Sequence, residues 1–210
     1  ANCNPLGCDH RAVSDSVVAA GLVSMFVLIY GIQVSDFPLL EDDGLFVLAS
    51  EFLGTAHSPG YPLYILLSQV SHLLPLESAA FRVHLFGSFT ASVALGLLYF
   101  IGRRVLHLEK VACLFGTICV AFSTLFWEQA LIAEAYQLNG VLFLLLFALC
   151  AKLGSEQQPG GWPVLLTGFV FGLSLANHWP LTLLLAPTFA LLAAPAVVTT
   201  LKLVPLGLVG

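Results

Sequence analysis

The densest group of reactive side chains in this 210-residue chain lies in residues 36–64, DFPLLEDDGLFVLASEFLGTAHSPGYPLY. Three consecutive acids, Glu41, Asp42 and Asp43, are followed there by His57 and Tyr61. Only 9% of the chain is charged, and acids beside a bilayer are costly unless they have a task. A carboxylate in such a place has the chemistry of a general base that takes a proton from an attacking hydroxyl. Its plain structural use is to cap a helix beginning near Gly44, because Asp is a favoured N-cap. Further polar groups follow at wide intervals: Arg82, then Glu128, Glu134, Tyr136 and Asn139, then Asn177 and His178 ahead of Trp179 and Pro180. His84 lies in or near an apolar run and reads as a satisfied packing residue.

The segments that must position these groups are apolar. Hydrophobic residues make up 59% of the chain and the mean hydropathy is +0.96, far beyond a soluble domain, whose apolar share is about 45–50%. A span needs roughly 20 mainly apolar residues. Six are predicted, over 16–34, 85–101, 111–126, 138–151, 162–176 and 181–201, and a seventh apolar run begins after Lys202, which suggests a fragment. The fold class expected is an all-α, polytopic transmembrane helical bundle, with residues 1–210 as a single transmembrane domain and 35–80 as its first extracytoplasmic loop.

Lys and Arg are retained on the cytoplasmic side, and threading six spans puts Arg11, Arg103, Arg104, Lys110, Lys152 and Lys202 on one face. Arg82 is the exception among the seven basic residues. The N-terminus is therefore expected in the cytoplasm and the first long loop outside it, in a bacterial inner membrane or an ER-type membrane. The net charge of −5 conceals this polarity, and no basic surface suits nucleic acid. Cys3 and Cys8 with His10 make half a zinc site at most, since a tetrahedral site needs four ligands. Residues 155–161, SEQQPGG, form the clearest turn.

Within the loop, Leu45, Val47, Leu48, Phe52 and Leu53 alternate with small and acidic residues, which suits a helix lying on the membrane surface. SPGYP then supplies an elbow: Pro59 disfavours helix at Ser58, Gly60 permits unusual angles, and Pro62 opens a second interfacial helix over 63–74.

Four strings carry a family resemblance: EDDGLF, AHSPGYPLY, FWEQALIAEAYQLN and GLSLANHWP, in that order and topological placement. The chain resembles the O-mannosyltransferase-like family of multi-span membrane proteins, formerly a family of unknown function, within the GT-C glycosyltransferase superfamily. The resemblance implies a GT-C-like fold and an enzyme that takes a sugar, mannose-like, from a polyprenyl-phosphate carrier and places it on an extracytoplasmic acceptor such as a protein Ser or Thr. The family's Asp-Ser-Gly-Glu pattern stands here as Asp42, Asp43, Gly44 and Leu45, so the fourth carboxylate is absent. The resemblance makes Asp42 the candidate base and Asp43 a second catalytic carboxylate. His57, Tyr61, Arg82, Glu134, Tyr136, Asn139 and His178 are the candidate substrate-binding residues, with Arg82 suited to a lipid phosphate.

A lipid-linked sugar donor is implied and membrane lipid is the surrounding partner. Oxygen and nitrogen ligands suited to a divalent ion are present, although no spacing demands one. The alternative function is a non-catalytic transmembrane scaffold subunit of a larger complex, whose partners would be other membrane subunits; Leu45 supports it. A third reading, proton transport, lacks the internal repeats common in transporters.

Overall fold

A computed structural model describes residues 5–40, 42–156 and 160–203, with side chains over 13–40, 42–156 and 160–194. Glu41, the centre of the SEQQPGG turn, Cys3, the side chains of Cys8, His10, Arg11 and Lys202 and the apolar run after Leu203 lie outside the described residues. The helices are α1 (Pro5–Gly31), α2 (Asp43–Glu51), α3 (Pro62–Ser68), α4 (Ala79–Arg104), α5 (Lys110–Ala121), α6 (Thr124–Leu131), α7 (Tyr136–Ser155) and α8 (Gly161–Leu203), with a 3-10 turn at Gln69–Leu73. No strand occurs among the described residues, and the chain is an all-α polytopic membrane protein.

Among the described residues, four helices are long and apolar enough to cross a membrane: α1 over Val13–Gly31, α4, α7, and α8 over Gly161–Ala194. α5 and α6 pass the same test only when taken together and are bent by 64° at their junction, the geometry of a broken span or a re-entrant loop. The expected third span is thus broken near Phe122. The Tyr30 hydroxyl donates to the Ala121 carbonyl at 2.8 Å, giving a partner to a backbone acceptor at the interrupted helix end, and Trp127 packs edge-on against the same ring at 5.2 Å.

The expected fifth and sixth spans fall in one helical range, α8, with a break at His178 (φ −152, ψ 83). The break is a reversal. Leu166 and Val170 line a cavity with Leu149 and Lys152 near the end of α7, Asn177 reaches Asn139 near its start, and Phe189 is back against Phe143 at 5.9 Å. A straight helix would carry Phe189 about 18 Å past Asn177, well clear of α7. Thr182 Oγ1 donates toward the carbonyls of both Ser174 (3.0 Å) and His178 (2.9 Å), a pair that only a sharp turn brings within reach of one hydroxyl. Both limbs therefore stand beside α7.

The central element is α4. Its first turns, with Ala80 and Val83, pack into a core shared with α2, α3, α7 and α8, while Ala91, Leu95 and Tyr99 belong to a second core with α1, α5 and α6. Lipid tails are as apolar as Leu, so spans associate by close packing and hydrogen bonds. At Gly96 an added methyl would lie 2.5 Å from Val23 Cγ2, which shows how closely α1 approaches. At Gly87 it would lie 2.7 Å from the Ile132 carbonyl oxygen, so glycine lets the segment between α6 and α7 cross α4. Ser78 caps α4 by accepting from Phe81 N at 3.2 Å.

In the loop, α2 and α3 match the two expected short helices. Gly60 (φ 100) and Tyr61 (φ 48) are left-handed and Pro62 opens α3, as the elbow requires. The second helix does not continue as α-helix to residue 74. After Ser68 it tightens into the 3-10 turn, where Ser68 Oγ donates to Ile65 O and Ser71 Oγ to Ser68 O, local bonds of the kind that compete with regular helix. The start of α7 and the loop helices share one end of the bundle. Arg103, Arg104, Lys110 and Lys152 mark the other, where α4 ends, α5 begins and α7 ends.

Candidate functional site

Asp42 occupies the N-cap position of α2 with no side-chain capping bond. An N-cap Asp ordinarily turns an oxygen onto an N–H of the first helical turn. Here Oδ2 lies 2.9 Å from His57 Nε2 instead, so capping does not account for this carboxylate. His57 Nδ1 donates to the Ser58 carbonyl at 2.8 Å. That carbonyl favours the charged imidazole and, against partial burial, so do the Asp42 and Glu134 carboxylates, holding the His57 pKa above its ordinary 6.5. The two side chains are 53% and 38% exposed, so the pair is open to a ligand.

Aromatic rings extend the site from His57. Tyr61 is buried and packs on Phe46 (5.0 Å), His57 (5.3 Å) and His178 (5.5 Å). Its left-handed backbone is uncommon for a residue with a large side chain, and the SPGYP elbow imposes it. Burial first, then Tyr136, Glu134 and Asp42, push the Tyr61 pKa up to about 12, so its hydroxyl stays a neutral hydrogen-bonding group. Tyr136, 48% exposed, lies 5.9 Å from His178 on the other side. His178 Nδ1 accepts from Leu181 N at 3.2 Å, which assigns the ring proton of the neutral form to Nε2. Glu134 is buried at 6% exposure and its charge reaches His57, Tyr61, Tyr64 and Tyr136.

Loop elbow, α6–α7 connection and α8 reversal therefore bring Asp42, His57, Tyr61, Glu134, Tyr136 and His178 together. Asn139 sits one layer deeper. It accepts from Asn177 Nδ2 at 2.9 Å, and the same amide donates to Ala135 O at 3.1 Å, tying the reversal to the first turn of α7. Asn139 Nδ2 and Asn177 Oδ1 are buried with no partner among the described residues.

Asp43 points the other way. Fully buried, it accepts from Leu39 N at 2.7 Å on Oδ2, and from Ala133 N at 2.6 Å and His84 Nε2 at 2.8 Å on Oδ1. Burial alone would raise its pKa, but the His84 bond and the two amides bring it below the usual carboxylate value. His84 Nδ1 in turn donates to Ser35 O at 2.8 Å. Asp43 thus fastens the loop, α4 and the segment carrying Glu134 at one point. Arg82 also lies apart from the ring cluster: its Nη2 is 3.0 Å from Glu51 Oε2, an oxygen shared with His72 Nδ1 at 3.3 Å. No group of three His, Cys, Asp or Glu side chains placed to hold a metal ion occurs among the described residues.

Sequence reasoning set His84 aside as a packing residue and gave no role to Glu51 or His72. His84 is buried and satisfied, yet its partner is one of the two candidate carboxylates. The available signal was one of need: an acid destined for burial requires a donor, and His84 lies where the chain returns to the membrane.

Fold and site together define a multi-pass helical membrane protein that carries, at one end of its bundle, a half-exposed carboxylate held by an imidazole and flanked by phenols and a second imidazole. Residues 42–200 match the family described as "Protein O-mannosyl-transferase TMEM260 N-terminal domain", and the chain belongs to that family. It is 32% identical over 145 residues to the Mus musculus protein named "Protein O-mannosyl-transferase TMEM260", covering 68% of this chain and 20% of the relative. Against the Dictyostelium discoideum protein "Protein O-mannosyl-transferase tmem260" it is 28% identical over 148 residues, covering 66% of this chain and 18% of the relative. The chain thus spans about a fifth of the length of these relatives. No solved structure matches it.

Proposed function

We propose that this chain supplies the N-terminal membrane portion of an enzyme that transfers mannose from a polyprenyl-phosphate carrier to a protein Ser or Thr hydroxyl, with the loop helices on the extracytoplasmic side and the N-terminus in the cytoplasm. The observation that supports it is the Asp42–His57 pair, 2.9 Å apart and open to a ligand, inside the segment matched to an O-mannosyl-transferase family. In this reaction the acceptor oxygen bonds to the anomeric carbon as the bond from that carbon to the phosphate oxygen breaks, its electron pair leaving with the phosphate. The hydroxyl proton passes to Asp42, a step that a positioned base accelerates by about 10²–10⁴-fold. His57 aims the carboxylate, Tyr61, Tyr136 and His178 line the sugar site, and Glu134 sets the charge behind it. Asp43 fixes the frame. Arg82 is engaged by Glu51, so the charge of the departing phosphate falls to His57 and His178.

The full-length protein in mild detergent, given a Ser/Thr-containing peptide and either polyprenyl-phosphate mannose or a sugar-nucleotide mannose, tests the donor directly. Mannosylated peptide is expected with the lipid-linked donor alone. Transfer from the sugar nucleotide instead would overturn the donor assignment. Absence of transfer from either donor would favour the scaffold reading, for which Leu45 at the fourth position of the acidic pattern is the supporting observation.

A further inference from the structure

At the end of the bundle opposite Asp42, α4 finishes on Arg103 and Arg104 and the chain folds back before α5. Leu108 N donates to Gly102 O at 2.9 Å, and His107 is held at φ 55, a left-handed conformation uncommon outside glycine. The loop thereby presents His107 beside Arg104. Both line a cavity of about 600 Å³ between α4, α7 and α8, together with Lys152 and the apolar side chains of Leu149, Leu166 and Val170.

The charges around it are not cancelled. In the adjoining cavity, which Arg104 and His107 also line with Glu109, Asp15 is paired with Arg103 at 3.1 Å. Lys152 lies 4.0 Å from Glu156, one turn on and at the limit of pairing. Arg104 is exposed and has no ion pair or hydrogen bond among the described residues.

The ligand that satisfies both parts of this cavity carries an anionic head and an apolar tail. Inorganic phosphate would meet the cations and leave the apolar wall wet; a zwitterionic lipid would cover the wall and bring no net negative charge to the cations. We propose that the cavity binds an anionic phospholipid, its phosphate held between Arg104 and Lys152 and one acyl chain lying along α7. Guanidinium groups match phosphate in a bidentate fork, and basic pockets between membrane helices take acidic head groups.

The test is native mass spectrometry of the intact full-length protein in mild detergent, titrated with phosphatidylserine or with phosphatidylcholine of the same chains. Each cation engaged is worth about fivefold in affinity, so a preference for phosphatidylserine on the order of twentyfold is expected. Arg104→Gln with Lys152→Gln should bring binding down to the phosphatidylcholine level, while Arg104→Lys with Lys152→Arg should keep the preference, with unchanged helicity and melting in both. Equal binding of the two lipids by the wild type, or a preference surviving in the Gln pair, would overturn the proposal. So would inorganic phosphate raising the melting temperature as much as phosphatidylserine does.

Discussion

Asp42 leaves half of its side chain in the open and faces His57, whereas Asp43, one residue on, is enclosed by two backbone amides and His84. Asparagine substitution should separate the two roles. Asp43→Asn removes the charge that three donors converge on and should cost about 3 kcal/mol, since breaking a buried ion pair from one side is strongly destabilising; thermal melting in detergent measures it, and an unchanged midpoint would remove Asp43 as the fastener. Their pH dependences have opposite signs. His57 has a raised folded-state pKa, so its contribution is fully present below its ordinary 6.5 and is lost as pH rises through the raised value. Asp43 has a lowered one, so its contribution is present above its ordinary 3.8 and is lost as pH falls through the lowered value. An NMR titration of His57 should show a midpoint above 6.5 that drops in Asp42→Asn; no movement in that variant would break the pairing assignment. The acids and His57 were legible in the sequence because charge is rare there. Their division of labour was not, because it depends on a histidine 41 positions away and an amide 90 positions away.

Three irregular pieces of backbone build the site: the SPGYP elbow, the crossing between α6 and α7, and the reversal in α8. Gly87 is the test of the crossing. Gly87→Ala places a methyl against the Ile132 carbonyl, and such overpacking costs about 1–3 kcal/mol. Melting should fall by that amount and transfer should fall with it, because Ala133 N and Glu134 move together. A variant with wild-type melting would show that the crossing has room to spare. The elbow could be read from the sequence, since Pro and Gly dictate backbone angles directly. The bend between α5 and α6 was only faintly marked: residues 111–126 carry no charge and no proline, Ser123 and Thr124 alone stand at the break, and it is sustained from outside by Tyr30 on α1. The α8 reversal was half visible. Polar Asn177 and His178 and the following Trp-Pro divided two apolar runs correctly, but helical hydrogen bonding continues close to the break on both sides.

Across the described residues, the Asp42–His57 cluster gathers at one end of a multi-pass bundle and Arg103, Arg104, Lys110 and Lys152 at the other, joined by α4, which contributes to both cores. Basic residues are retained in the cytoplasm, so Leu53→Cys, in a protein otherwise free of cysteine, should react with a membrane-impermeant maleimide from the extracytoplasmic side and Leu106→Cys should not. The reverse pattern would invert the topology and place the site on the cytoplasmic face. The helical class and the membrane setting were plain from composition; the sharing of one polar end by residues from 42 to 178 was not, because it follows from how α7 and both limbs of α8 pack. The most direct test of Asp42 as the base is Asp42→Asn in the full-length protein, measuring donor-lipid binding and mannose transfer side by side. Binding and melting close to wild type with transfer reduced by at least about 10²-fold is the expected result. Transfer at the wild-type rate would contradict the assignment.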